Sequence, residues 1–164
     1  MKEDSRKSQS NARLLSQSKA LDTAFRMLAR RDHTSRELIL KLRRKGYGRQ
    51  AIDGALQRCR TLGYLDDAKT ARVMARRLAG KGYGPLRIRQ ALKQKGLEDV
   101  LVERAMADGD EEESQVRAAR KALEKKAPRL RRESDPWKRR QIAYRFLAGR
   151  GFPASIINQA IEDA

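Results

Sequence analysis

The chain is poor in the residue types from which reactive centres are usually built. Its 164 residues include one cysteine, one histidine and one tryptophan. A lone cysteine, Cys59, excludes an internal disulfide and fits a reducing cytoplasm. It falls at helical spacing from Ile52, Ala55 and Leu56, so core packing is its expected role. The one histidine, His33, lies in a loop before Thr34 with no nucleophile beside it. Serines cluster near the N-terminus without a base partner. No Gly-x-x-x-x-Gly-Lys loop is present to cradle a nucleotide. No apolar run approaches the roughly 20 residues of a membrane span. Residues 1–19 carry charges but no apolar h-region, and read as a disordered basic tail rather than a secretory signal. No β-branched run bounded by turns suggests a strand.

Acidic residues are also scarce relative to basic ones. Lys and Arg number 39 against 21 Asp and Glu, a formal net charge of +18. Such an excess is silent about fold but attracts polyanions, nucleic acid before an acidic membrane.

What the chain does have is a repeated pattern. Gly46, Gly96 and Gly151 each follow an amphipathic stretch and precede a large apolar residue (Tyr47, Leu97, Phe152). Aligned on these glycines, Leu38 and Leu42 match Ile88 and Leu92, then Ala143 and Leu147. Ile52, Ala55 and Leu56 match Val102, Ala105 and Met106, then Ile157, Ala160 and Ile161. Three occurrences at a period of roughly 50 residues mark a repeat array. The identical tetrapeptides Lys45-Gly46-Tyr47-Gly48 and Lys81-Gly82-Tyr83-Gly84 suggest a period of 36, but no glycine continues it into the third repeat.

Each repeat reads as three helices. Leu21, Ala24, Phe25 and Leu28 form one helical face. Thr34-x-x-Glu37 is a capping box opening the next helix, with Gly46 as its C-cap, and a third helix spans about Arg49 to Thr61. Leu62-Gly63-Tyr64-Leu65 leads into the second repeat, where Ala71, Met74, Ala75 and Leu78 restore the first face. Pro85 suits the first position of the next helix, and Glu98 and Asp99 suit the start of the one after. In the third repeat, Val116, Ala119 and Leu123 fit a first helix, but Gly151 comes about ten residues late. The surplus lies in Lys125 to Asp135, Arg-rich and containing Pro128. Pro136 is then expected to start a helix with Trp137 packed near its beginning, and Pro153 to start the last. The expected fold is all-α: three tandem three-helix repeats forming an elongated, curved array. The expected boundaries are a tail at 1–19, repeats at 20–63, 64–109 and 110–164, and an inserted loop near 125–135. Each repeat alone has too few apolar residues for a stable core, so neighbours must support one another.

Acids offer no convincing metal site. Asp66-Asp67 reads as an N-cap followed by a first-turn acid. The run Asp108, Asp110 and Glu111 to Glu113 is contiguous rather than convergent, and suits a solvated helix start. The cations differ in kind. Lys81, Arg87, Arg89, Lys93 and Lys95 cluster in the central repeat, with Tyr83 at the turn and Arg76 and Arg77 in the helix before. Arg89 and Lys93 share a face. Lys41, Arg43, Arg44 and Lys45 recur in the first repeat, as do Arg139, Arg140, Arg145 and Arg150 in the third. Ordinary solvated helices mix signs, whereas these hold almost no acids, so they are read as phosphate or acidic-surface contacts. Tyr47 and Tyr83 could stack on bases, though packing against the glycine turns is the stronger reading.

The stretch Leu62-Gly63-Tyr64-Leu65-Asp66-Asp67, then Lys81-Gly82-Tyr83-Gly84-Pro85-Leu86-Arg87-Ile88-Arg89-Gln90-Ala91-Leu92 and Lys95-Gly96, strongly resembles the RecX family of bacterial regulatory proteins. Arg145-Phe146-Leu147-Ala148-Gly149-Arg150-Gly151-Phe152 resembles that family's C-terminal repeat. The resemblance covers about residues 20 to 162. Thr70 departs from it, where an aromatic commonly follows Tyr-Leu-Asp-Asp. The resemblance implies a modulator of the RecA recombinase rather than an enzyme. It would lie along the groove of the RecA–DNA filament and curb strand exchange, ATP hydrolysis and co-protease activity. Lys81, Tyr83, Arg87, Arg89, Lys93, Lys95, Arg145 and Arg150 are the expected contacts to filament or DNA. A cytoplasmic monomer is expected, binding single- or double-stranded DNA but no membrane, metal or cofactor. The alternative is a free DNA- or RNA-binding protein with no recombinase target.

Overall fold

The computed structural model describes residues 16–109 and 111–162, and among these there is no strand. Helix α1 covers residues 16–28. It is followed by α2 (Ser35–Arg44), α3 (Arg49–Thr61), α4 (Asp67–Gly80), α5 (Pro85–Gln94) and α6 (Asp99–Met106). After a 3-10 turn at Ala107–Gly109 come α7 (Glu112–Glu124), α8 (Ala127–Arg132), α9 (Pro136–Arg150) and α10 (Ala154–Glu162). Residues 16–19, expected in the tail, are helical, while 1–15 lie outside the described residues. The apolar period that begins at Leu21 accommodates one further turn, with Ala20 fully buried. The surplus at 125–135, expected as a loop, contains α8. Pro153 precedes α10 rather than starting it, and its carbonyl accepts the Ile157 N–H at 3.0 Å.

The chain forms two compact units. The first runs through Thr70 and takes in Lys95–Leu97; the second holds Ala71–Gln94 and the chain from Glu98 onward. In the first unit, Ala24, Leu38, Leu42, Ile52, Leu56, Cys59 and Leu65 form the core. Burial pushes the Cys59 thiol above its usual range, as expected of a packing residue. In the second unit, Val116, Ala119, Ala122 and Leu123 of α7 meet Ala143 and Leu147 of α9, and Phe152, Ile156, Ile157 and Ala160 complete the cluster. Every aligned apolar position is buried except Ile161, which is half-buried against that cluster. Each large aliphatic so buried contributes roughly 1.5–3 kcal/mol.

The helix boundaries follow from local chemistry. Thr34 and Glu37 form the capping box reciprocally: the Glu37 N–H donates to Thr34 Oγ1 at 3.2 Å and the Thr34 N–H to Glu37 Oε2 at 3.3 Å. Asp66 caps α4, accepting the Lys69 N–H at 2.9 Å. Asp67 does more than sit in the first turn of α4: its carboxylate accepts the Ser35 N–H at 2.8 Å. Thr70, the departure from the family pattern, is buried. The three aligned glycines all have positive φ, +85° at Gly46, +76° at Gly96 and +85° at Gly151, a conformation that costs other residues a steric penalty.

Within the second unit, the turns that close α4 and α9 meet backbone to backbone. The Gly84 N–H donates to Arg150 O at 2.8 Å and the Leu86 N–H to Gly151 O at 3.0 Å. Gly84 is buried, and a Cβ there would lie 2.5 Å from the Gly151 carbonyl carbon and the Phe152 nitrogen. Gly84 needs no special backbone angle, so close approach alone demands glycine there.

Candidate functional site

Tyr83 sits in the turn between α4 and α5, and two guanidiniums lie against its ring. Arg87, one turn into α5, is 4.8 Å from the ring centroid, and Arg150, at the end of α9, is 5.3 Å away. Arg150 also lies 4.9 Å from the Phe146 ring. Both arginines are anchored to main chain. Arg87 Nη1 donates to Gly149 O at 3.0 Å, and Arg150 Nη1 to Lys81 O at 2.7 Å and Gly82 O at 3.4 Å. Each cation over an aromatic face contributes on the order of 0.5–1 kcal/mol where exposed. Tyr83, Arg87 and Arg150 therefore converge, and Lys81 joins them through its main-chain carbonyl. The two arginines hold the second and third repeats together as well as placing positive charge at the surface.

The other expected contacts lie elsewhere. Arg89 Nε is 3.3 Å from Glu103 Oε2, and Lys93 Nζ is 2.9 Å from Asp99 Oδ1, so acids of α6 partly neutralise the α5 face. Lys95 belongs to the first unit, where its Nζ reaches Glu37 Oε1 at 2.6 Å. Arg145 is exposed on α9 and donates to Gln141 Oε1 at 2.7 Å. Tyr47 is a packing residue, its hydroxyl 2.9 Å from Thr23 Oγ1 and donating to Lys19 O at 3.2 Å.

The basic surface nevertheless extends beyond the expected set. Helices α5, α8 and α9 contain no acidic residue. Arg129, Arg131 and Arg132 of α8 are basic residues that the repeat alignment passes over, because no other repeat has their counterpart. Trp137, expected to pack, is 66% exposed.

Among the described residues, no three of His, Cys, Asp or Glu group closely enough to hold a metal ion, and no helix is long and apolar enough to cross a membrane. The acidic run opens α7, with Glu111 at the N-cap and Glu112 and Glu113 in the first turn; Asp110 and the Asp108 side chain lie outside the described residues. His33 is buried with Glu37 beside it, Nδ1 to Oε2 3.7 Å.

Fold and surface together define a helical-repeat protein with strongly basic helix faces. The three-helix domains of RecX match this chain in order: the first at residues 20–59, the second at 66–106 and the third at 112–161. Over 146 residues the chain is 36% identical to the regulatory protein RecX of Legionella pneumophila (strain Corby), covering 88% of this chain and 94% of that one. Over 142 residues it is 39% identical to the regulatory protein RecX of Vibrio vulnificus (strain CMCP6), covering 87% and 90%. The crystal structure of RecX from Lactobacillus salivarius has the same fold, with a TM-score of 0.80 over 90% of this chain and 96% of that one, at 24% identity. The chain belongs to the RecX family of regulatory proteins.

Proposed function

We propose that this chain binds the RecA–DNA filament in the cytoplasm and restrains its strand exchange, ATP hydrolysis and co-protease activity, with no catalytic step of its own. The observation that carries the reading is the convergence of Arg87 and Arg150 on the Tyr83 ring, with Arg150 held by the Lys81 carbonyl, in a member of a family whose proteins are named as regulators. Cations held by main-chain carbonyls and an aromatic face lose little freedom on meeting a phosphate or carboxylate, which favours binding. The runner-up is a free nucleic-acid binder, favoured by the net charge of +18 alone.

The test is the RecA ATPase rate on single-stranded DNA with and without the protein. Inhibition that saturates with added protein is expected. An unchanged rate at protein concentrations that coat bare DNA would leave the free nucleic-acid binder as the better reading. Lys81→Glu combined with Arg145→Glu reverses two exposed charges without touching the core, and is expected to weaken inhibition about tenfold or more, at roughly 1 kcal/mol per charge-assisted contact. Equal inhibition by this variant would remove both residues from the contact surface.

Association is also expected to depend on salt. Log affinity for DNA should fall almost linearly with log salt, with a slope near −0.7 per phosphate neutralised on a single strand. A flat dependence would mean that apolar contacts dominate.

A further inference from the structure

The ten or so residues that break the repeat supply α8, which forms one side of a groove. It has a volume of about 670 Å³ and lies within the second unit, between α7, α8, the start of α9 and the end of α10. Its walls are apolar: Leu123, Ala127, Leu130, Pro136, Trp137 and Ile161. Its rim is cationic: Arg131 of α8, Arg139 and Arg140 of α9, and Arg120 of α7, with Glu124 the one acid in the lining. Volumes of roughly 300–1,000 Å³ are typical of sites that take up an organic ligand or side chain.

We propose that this groove docks an acidic protein segment carrying one or two aliphatic or phenyl anchor side chains. The occupant follows from charge complementarity and from the walls. Arg139 gives its Nε and Nη2 to Glu133 O at 3.2 and 2.8 Å, which fixes the guanidinium while leaving Nη1 for an incoming carboxylate. Arg140 Nη2 reaches Glu162 Oε1 at only 3.5 Å, a contact a better-placed carboxylate can replace. An arginine fork accepts a carboxylate in two parallel hydrogen bonds. An aliphatic or phenyl side chain needs no polar partner inside the groove. A nucleobase does, and the apolar walls offer its polar edges none, leaving it the face of Trp137 and the charged groups of the rim. An exposed tryptophan ringed by arginines is also the composition of a protein-binding hot spot. The proposal stands whether or not the filament is the protein's target.

Trp137 is the only tryptophan, so its fluorescence reports on this groove alone. The full-length protein is titrated with fluorescein-labelled twelve-residue peptides, all Asp and Glu except for two adjacent positions carrying Leu, Ile, Phe or Met. Binding is read by peptide anisotropy, and by Trp137 emission with the unlabelled peptides. Comparison probes carry Ala at the two anchor positions, or are twelve-nucleotide oligothymidylate. Saturable binding by the anchored peptides is expected, with the Ala peptide about tenfold weaker. Trp137→Ala and Arg131→Glu should each weaken binding about tenfold, a loss of about 1.4 kcal/mol. Circular dichroism should show unchanged helicity, and Lys121→Glu on α7, outside the groove, should bind as the parent does. The proposal is overturned if no anchored peptide saturates below about 1 mM, a threshold of roughly 4 kcal/mol of binding. It is equally overturned if Trp137→Ala binds undiminished, if the Ala peptide binds as well as the anchored ones, or if only oligothymidylate perturbs Trp137.

Discussion

Gly84→Ala is expected to destabilise the second unit by about 3 kcal/mol or more, lowering its melting temperature by roughly 15 °C. The added methyl has no room: it would lie 2.5 Å from main-chain atoms of Gly151 and Phe152, which cannot rotate away as a side-chain tip would. The two turns must separate, and the Gly84-to-Arg150 and Leu86-to-Gly151 hydrogen bonds stretch or break. Buried donors and acceptors left unpaired then add about 1–3 kcal/mol each. Separation also loosens Arg87 and Arg150 from Tyr83. Gly149→Ala is the internal comparison. It lies in α9 with nothing within 4 Å of a built Cβ, so it should stabilise by up to about 1 kcal/mol through helix propensity. Calorimetry of both variants decides the matter. A Gly84→Ala protein that melts with the parent would mean that the two turns are not in close contact.

Glu37→Ala is expected to cost the first unit roughly 2 kcal/mol, combining a lost cap with a lost charge partner. Glu37 is a hub. It accepts the Thr34 N–H, the Lys95 ammonium at 2.6 Å and the Arg31 guanidinium at 3.3 Å. Burial alone would raise its pKa, but the hydrogen bonds from Lys95 and Arg31 outweigh burial and hold the carboxyl at about 2, against an ordinary 4.5. Because the folded form keeps the proton off to lower pH than the unfolded form does, the contribution of ionised Glu37 is complete above about 4.5 and disappears as pH falls towards 2. His33 adds a loss at milder acidity. Burial, then the charges of Arg31 and Lys41, lower its pKa below 6.5, so the unfolded chain takes up that proton first and stability falls as pH drops through this range. Glu37→Gln separates cap from charge. Glutamine still serves in a capping box, so the variant should keep the cap but lack, at neutral pH, the contribution that the parent loses between pH 4.5 and 2, and its own stability should change less across that range. Urea unfolding at stepped pH values measures both. An unchanged acid slope in the Gln variant would show that other carboxylates govern acid unfolding.

The helical repeat was legible because its signals are local. A positive-φ glycine, a large apolar residue after it and apolar positions eight and four residues before it can be read within one window, and the apolar residues are buried as read, apart from the half-buried Tyr47. The role of the cations was less legible because their partners are distant. Arg87 is bound to a carbonyl 62 residues away and Lys95 to a carboxylate 58 residues away. The acids that neutralise Arg89 and Lys93 come from the neighbouring helix α6 rather than from α5, so counting charges within a helix overstates its free positive face. Trp137 is exposed rather than packed for a related reason. Its size suggested burial, but α9 buries only Ala143 and Leu147, and the tryptophan falls beside the helix that the insertion adds. Nothing in a repeat alignment positions a segment that the other repeats lack.

The meeting of the two turns in the second unit also bears on how the protein is made. Arg150 bonds to Lys81 across 69 residues, and Gly84 waits for the same turn. A chain still emerging from the ribosome can form α4 and α5 as soon as they clear the exit, yet the acceptors for the Gly84 and Leu86 N–H groups do not exist until α9 has been synthesised. At about 5–20 residues per second that interval lasts several seconds. During it the buried faces of α4 and α5 are open to chaperones and proteases. Contacts of high sequence separation are slow to close, so the completion of this unit, and with it the assembled Tyr83 cluster, belongs to the end of translation.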